Sequence, residues 1–262
     1  MKILVMGAGK MVEAILVGLQ SKMNLAGFHI YTPSGRSAEA LACKVGATFI
    51  SSLDEISEPD FVFIGCKPQQ LNDLSKSVSG KFPDTTFISM LAALDEKSQL
   101  SILKADKLVR VMPNLPVRFN KGVTLLSSVS AFEQLSTVSE IFSLIGLAKV
   151  VSETELEELT LLTGSGPAFF YEFAKLLAES FSSLDSSSRE ELARMVLAGA
   201  GLSAESESDG LDRMLGSITS KAGVTIAVIE EWRKLKMNEL ILNGVNAGKK
   251  RSVEIASTTD QK

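Results

Sequence analysis

The sequence predicts an α/β fold in which a doubly wound sheet is followed by an all-α domain. Short, β-rich apolar runs alternate with helical patterns over residues 1–151, whereas residues 152–250 show helical periodicity with almost no strand signal. Alternation of this kind gives a parallel sheet with helices on both faces. We therefore expect domains at 1–151 and 152–250, and a frayed tail over 251–262.

The first domain contains six strand-like and four helical segments. The predicted strands lie in 2–7, 29–32, 48–51, 60–66, 85–91 and 107–112, and the predicted helices in 11–23, 37–45, 68–78 and 95–105. A sheet of this type binds its ligand in the crevice at the carboxyl ends of its strands.

Helices are predicted over 153–182, 189–205 and 223–247 of the second domain. Ser152 with Glu155, and Ser188 with Glu191, have the S-x-x-E form of a helix start. The stretch GSGPA (164–168) should weaken or kink the first of these helices. Beyond it, apolar side chains cover most of the helix circumference, which predicts burial against a partner chain in a homodimer or higher homo-oligomer: Phe169, Phe170, Phe173, Leu176, Leu177 and Phe181.

Composition excludes several classes of function. The net charge of −4 over 262 residues gives no basic footprint for nucleic acid. Two cysteines are too few for a disulfide framework, and neither a secretion signal nor a membrane-spanning run is recognisable, so we expect a cytoplasmic protein. Because His29 is the only histidine, mechanisms built on histidine are poorly supplied, and a cofactor is expected to bring the reactive group.

A glycine motif indicates the cofactor. VMGAGKMV (5–12) follows a predicted strand and opens a helix, the context of a Rossmann-type dinucleotide fingerprint, although Val12 replaces the third glycine. The expected cofactor-binding residues here are Gly7, Gly9, Lys10 and Met11. A chance turn is the alternative.

The segment after the second strand favours NADP(H) over NAD(H). YTPSGRS (31–37) lacks the acid that usually binds the ribose of NAD, whereas Ser34 and Arg36 suit a 2′-phosphate. A solvated turn is the alternative interpretation.

Several stretches together resemble the pyrroline-5-carboxylate reductases. GAGKMVEA (7–14), IGCKPQQL (64–71), VRVMPNLPV (109–117), GVTLL (122–126) and GSGPAFFYEF (164–173) follow in the family's order over residues 1–250. The resemblance implies NAD(P)H-dependent reduction of 1-pyrroline-5-carboxylate to L-proline, with a helical dimerisation domain and substrate sites at the dimer interface.

The resemblance also assigns further residues to the cofactor. These are Cys66, Lys67, Pro68, Gln69, Met90, Leu91, Ala92 and Asn114. Independently, CKPQ directly follows a predicted strand, at the edge where the crevice lies, with Pro68 suited to begin a helix. Asn114 stands between two prolines, and a turn asparagine is the alternative. Ala93 replaces a glycine common in the family.

The substrate loop is expected at TSKAGVT (219–225), before an apolar helix. Helix starts attract anions, and the resemblance implies a carboxylate cradle here with Thr225 as the catalytic residue at the ring nitrogen. The implied substrate-binding residues are Glu153, Ser220, Ala222, Gly223, Val224 and Thr225. Lys221 and Ala222 replace the family's proline and glycine, which leaves open three alternatives: a plain helix-entry loop, a reductase of another imine or carbonyl compound, and a decayed NADP-binding dimer.

Overall fold

The computed structural model describes residues 1–92, 94–220 and 222–259, with only the backbone of Pro68 and of 256–259. Contacts divide the chain into two compact units. The first contains Met1–Ser165 and the chain end from residue 252, and the second is Gly166–Arg251.

The first unit is built on an eight-stranded sheet. Its strands are β1 Ile3–Met6, β2 Phe28–Tyr31, β3 Thr48–Phe49, β4 Phe61–Ile64, β5 Thr86–Ser89, β6 Leu108–Pro113, β7 Gly122–Ser127 and β8 Gly146–Val150. Their order is β3-β2-β1-β4-β5-β6-β7-β8. The predicted parallel sheet is confirmed for β1 to β6. β7 and β8 were not predicted as strands, and β7 runs antiparallel to β6.

Helices cover both faces of this sheet. They are α1 Lys10–Gln20, α2 Arg36–Val45, α3 Leu71–Val78, α4 Glu96–Leu103, α5 Phe132–Ser143 and α6 Glu153–Thr163. Alternate residues of β1 enter different cores: Ile3 and Val5 pack with α1, α2 and α5, whereas Leu4 and Met6 pack with α3 and α4. Burial on both faces explains why β1 reads as an unbroken apolar run.

Helix α6 belongs to the first unit, although we expected the domain boundary at residue 152. Its Leu156 is buried against Met112 of β6 and Leu125 of β7, and the compact unit continues to Ser165. The predicted capping box at the start of α6 is present, with the Ser152 side chain accepting from the Glu155 N–H.

The second unit is helical, as predicted. Its helices are α7 Gly166–Glu179, α8 Ser186–Ser206, α9 Leu211–Ser217, α10 Val224–Lys234 and the part up to Arg251 of α11 Met237–Thr259. The expected helix 153–182 is interrupted between Thr163 and Gly166, within GSGPA. Helix α8 begins earlier than expected because Asp185, and not Ser188, is its N-cap: the Asp185 carboxylate accepts from the Ser188 N–H.

Helix α11 continues into the segment that we expected to fray. RSVEIASTT (251–259) contains neither glycine nor proline to stop the helix, which extends to Thr259. Residues 260–262 lie outside the described part of the chain. Within the described residues, no helix is long and apolar enough to cross a bilayer.

Most large apolar side chains described in the second unit are accessible in the single chain, whereas Ala174 and Ala178 of α7 are buried. Among the described residues of α8, α9 and α10, none is buried. On α7, Phe169 and Phe170 are exposed. Phe173 makes an edge-to-face contact with Trp232 of α10, with ring centroids 5.8 Å apart. The unit therefore contains little core of its own.

Candidate functional site

A crevice of about 620 Å³ lies at the carboxyl ends of β1, β2 and β4. The strand order reverses between β1 and β4, the point at which doubly wound sheets bind their ligands. The crevice is lined by Met6 to Gly9, by Tyr31 to Ser34 with Ser37, by Gly65 to Lys67, and by Gln70, Asp73, Leu74 and Ser77.

The first glycine of the fingerprint is required by close backbone packing. Gly7 has φ +128°, and a Cβ there would lie 2.6 Å from the carbonyl oxygen of Gly65. Gly9 is the N-cap of α1 and has φ −77°, with the Gly65 oxygen 4.0 Å from its would-be Cβ. Together they leave open space at the start of α1, where unpaired N–H groups favour a phosphate. The crevice therefore fits a dinucleotide.

Val12 replaces the third glycine of the fingerprint, and a glycine on the opposite side compensates. A Cβ on Gly65 would lie 2.3 Å from Cγ2 of Val12. The third glycine of such motifs normally allows close helix–strand packing. Here the side chain is on the helix and the missing side chain follows β4, so the close packing is preserved.

The turn after β2 brings hydroxyl groups to the crevice. Thr32, Ser34 and Ser37 line it, and the oxygens Oγ1 of Thr32 and Oγ of Ser37 are 3.3 Å apart. Arg36, the first residue of α2, is exposed and is not among the described lining residues. We predicted Ser34 but not Thr32 or Ser37, although the absence of an acid across 31–37 was a signal that the whole turn was polar.

Two further predicted cofactor residues stand beside the glycine loop. Lys10 begins α1 and is exposed, whereas Met11 packs partly against the first core. Neither is among the described lining residues.

Only some residues of the CKPQ segment (66–69) line the crevice. Cys66 and Lys67 line it, and burial raises the pKa of the Cys66 thiol to about 11. Residues 68–70 form a 3₁₀ turn, in which Oε1 of Gln70 accepts from the Lys67 N–H at 3.1 Å. This turn places Gln70 at the crevice, whereas we predicted Gln69, which is not among the described lining residues.

The segment after β5 is mostly packed into the fold. Met90 contacts the first core and Leu91 the second, while Ala92 is exposed. The carbonyl oxygen of Leu91 accepts from Arg110 at 3.3 Å. None of the three is among the described residues lining the crevice, and Ala93 lies outside the described residues.

The Asn114 side chain is engaged within the first unit. Its Nδ2 donates to the Thr163 carbonyl at 2.9 Å, and its Oδ1 accepts from the Val123 N–H at 2.9 Å. It therefore ties the end of α6 and the start of β7 to β6.

Glu153 is also held by partners of the same unit. Its Oε1 accepts from Nη1 of Arg110 and from the Glu96 N–H. Arg110 was not predicted, and RVMPN by itself gave no signal that its arginine is buried.

In the second unit, the expected substrate loop has the backbone of a helix entry. Gly223 is the N-cap of α10 and its N–H donates to the Ser220 carbonyl at 3.0 Å. A Cβ at Gly223 would lie 2.4 Å from Oγ of Ser220 and 3.1 Å from its carbonyl oxygen, so a larger residue there would require the Ser220 side chain to move. Ala222 has φ +60°, a glycine-like conformation.

Val224 and Thr225 are the first two residues of α10, and both are exposed. Lys221 lies outside the described residues. At Ala222 the loop thus has a backbone conformation that favours glycine, although the residue there is alanine.

Both parts of the chain match family models. Residues 2–93, which contain the glycine loop, match a family described as "NADP oxidoreductase coenzyme F420-dependent". Residues 153–255, which contain the loop before α10, match "Pyrroline-5-carboxylate reductase dimerisation".

Individual proteins extend this similarity to the whole chain. A pyrroline-5-carboxylate reductase of Staphylococcus aureus is 28% identical over 275 residues, covering 100% of both chains. The solved pyrroline-5-carboxylate reductase of Coxiella burnetii has a TM-score of 0.85 at 24% identity, covering 97% of each chain. The solved pyrroline carboxylate reductase of Plasmodium falciparum, with NADP bound, has a TM-score of 0.77 at 20% identity, covering 97% of this chain and 98% of that one.

The two solved structures confirm the fold. Since both family segments occur in order, and the sequence aligns from end to end with a curated reductase, the resemblance predicted from the motifs is confirmed: residues 153–255 belong to the pyrroline-5-carboxylate reductase dimerisation family, and the whole chain is similar to pyrroline-5-carboxylate reductases.

Proposed function

We propose that the protein reduces 1-pyrroline-5-carboxylate to L-proline with NADPH, the last step of proline biosynthesis. The observation that carries the proposal is the end-to-end match to a pyrroline-5-carboxylate reductase, in a chain whose crevice fits a dinucleotide. A cytoplasmic location is part of the proposal.

The cofactor supplies a hydride when bound, and the first unit supplies its site. Gly7 and Gly9 keep the start of α1 open for the pyrophosphate. Ser34 and Ser37 line the end of the crevice that would receive the 2′-phosphate. Arg36, exposed beside them, can pair with that phosphate by charge-assisted hydrogen bonds. The turn contains no carboxylate that would repel it.

The loop before α10 would hold the substrate. The carboxylate would be bound by N–H groups beside Gly223, such as that of Val224, where the helix dipole is positive; the Gly223 N–H itself donates to the Ser220 carbonyl. The hydroxyl of Thr225 would face the ring nitrogen and support it as it gains a proton. These groups orient the imine and exclude water, so the single histidine, His29, is not needed.

A homodimer through the second unit is the third part of the proposal. It is supported by the match to a dimerisation family and by the exposed aromatic side chains of α7. Apolar area of this extent normally marks an interface between chains.

One assay separates this function from its alternatives. Purified protein is mixed with NADPH and 1-pyrroline-5-carboxylate, and both NADPH oxidation and proline formation are followed. We expect the two rates to be equal. Oxidation only with other imines or carbonyl compounds would contradict the substrate assignment. NADPH binding without turnover of any of them would favour the decayed dimer.

A further inference from the structure

Arg110 is a fully buried charge in the first unit. It lies on β6, and its side chain is 0% exposed. Arginine is almost never fully buried unless it is paired. The guanidinium donates to a carboxylate oxygen of Glu153, to Oε1 of Glu157 at 2.6 Å, and to the Leu91 carbonyl at 3.3 Å. One side chain therefore connects the segment after β5 with the first two turns of α6.

The carboxylate of Glu153 is part of this connection. The oxygen that accepts from Arg110 also accepts from the Glu96 N–H at 3.2 Å, at the start of α4. Both donors belong to the first unit, as does Glu153 itself. The resemblance, in contrast, placed Glu153 at the substrate.

We propose that Arg110 is a positioning residue for the cofactor site, and that Glu153 and Glu157 act through it without contacting substrate. The proposal rests on the proposed function and on the family resemblance, which assigns the segment after β5 to the cofactor, although Met90, Leu91 and Ala92 are not among the described residues that line the crevice. β5 is the neighbour of β4, whose carboxyl end forms one wall of the crevice. Holding the Leu91 carbonyl therefore fixes the backbone next to that wall.

Arg110 faces two carboxylates, so each carboxylate can be removed separately to test the network. A guanidinium offers several donors in one plane and serves three acceptors at fixed angles. Two carboxylates face one arginine, so removing either of them leaves Arg110 paired and should permit folding. The guanidinium would then turn towards the remaining carboxylate and loosen its bond to Leu91.

The test compares Glu153→Ala with Glu157→Ala, and measures NADPH binding by fluorescence titration. Both variants should weaken NADPH binding about 3- to 30-fold, which lies within the range of coupling between residues that share one network. The KM for 1-pyrroline-5-carboxylate at saturating NADPH should change less than about twofold. Glu153→Gln keeps the acceptor oxygen and should bind NADPH better than Glu153→Ala does. Arg110→Lys should weaken NADPH in the same direction.

Glu155→Ala is the matched control. Glu155 lies on the same turn of α6, but its carboxylate is bonded to Ser152 in the capping box, so NADPH affinity should remain at the parent value. The proposal is overturned if Glu153→Ala raises the KM for substrate at unchanged NADPH affinity while Glu157→Ala has no effect. A parent protein without turnover would refute the proposed function, and the NADPH titration would still decide the role of the network.

Discussion

The two units bury their apolar residues to very different degrees. In the first, the sheet is enclosed on both faces by two cores that involve five helices. In the second, the described residues of α8, α9 and α10 include none that is buried. The first unit can thus be stabilised by its own contacts, whereas the second lacks the buried area that offsets the entropy of ordering a chain.

This difference shows which contacts each candidate site depends on. The crevice is lined by residues at the carboxyl ends of strands of the sheet, and by the glycine loop. The loop before α10 belongs to a unit whose stability we expect to depend on a second copy. Cofactor binding should therefore survive changes that abolish assembly, and substrate turnover should not.

The largest effect is expected from a charge on α7. Phe170 is 60% exposed in the single chain, and Phe170→Glu would place a carboxylate in the proposed interface. Losing an aromatic anchor there should cost about 2–4 kcal/mol of association, or roughly 30- to 1,000-fold in affinity. Light scattering should show monomers at concentrations where the parent is a dimer, together with loss of turnover.

Phe132→Glu is the control for this substitution. Phe132 is 76% exposed, on α5 of the first unit, so exposure alone would predict the same result. We expect its oligomeric state to equal that of the parent. If both variants dissociate, or neither does, the second unit is not the interface.

Gly7→Ala should damage the first unit itself. The required φ of +128° and the 2.6 Å approach to Gly65 should lower the free energy of unfolding by about 2–4 kcal/mol, measured by denaturant titration. Gly9→Ala should stay within about 0.5 kcal/mol of the parent, because its φ of −77° suits alanine. It should nevertheless weaken NADPH, since its methyl group enters the phosphate space. Equal stability of the two variants would contradict the conclusion that close backbone packing requires glycine at position 7.

Thr225→Ala should affect substrate alone. Loss of one hydrogen bond to a charge-developing nitrogen should lower kcat/KM about 10- to 100-fold. NADPH affinity should not change, because Thr225 is assigned to substrate.

Arg36→Ala should instead weaken NADPH binding about 10- to 100-fold, with little effect on NADH binding. If Thr225→Ala has the kcat/KM of the parent, or Arg36→Ala binds NADPH as tightly as the parent, the residue in question does not contribute to its proposed site.

The smallest effect is expected at Ala222. Its φ of +60° costs about 1 kcal/mol in an L-residue, partly offset by the greater freedom that glycine gives the unfolded chain. Ala222→Gly should therefore stabilise the protein by only about 0.5 kcal/mol and leave kcat/KM unchanged. Ala227→Gly, inside α10, should destabilise it by about 1 kcal/mol. A large gain in turnover for Ala222→Gly would mean that alanine distorts the loop.

Local signals were sufficient for most elements. The capping box of Ser152 and Glu155, and the glycine turn after β1, depend on residues within a few positions, and both were predicted. β7 and β8 were missed although they pair with the strands next to them along the chain, and the antiparallel direction of β7 is not encoded in its own residues.

The parts of the candidate site that depend on local backbone conformation could be predicted from the sequence. The glycine loop and Ser34 follow from spacing and composition. Gln70, and not the predicted Gln69, is among the described residues that line the crevice, and both belong to a 3₁₀ turn. Asn114 donates to Thr163, 49 positions away, and Glu153 accepts from Arg110, 43 positions away. No local pattern could show these two engagements.

Val12 and Gly65 occupy one shared volume, and this has a consequence for how related chains can vary. A side chain at position 65 fits only if position 12 is reduced to glycine or nearly so. The two positions should therefore covary, with glycine on one side or the other. Searches that require the third glycine on α1 would overlook chains of this kind, whereas a search for the pair would find both arrangements.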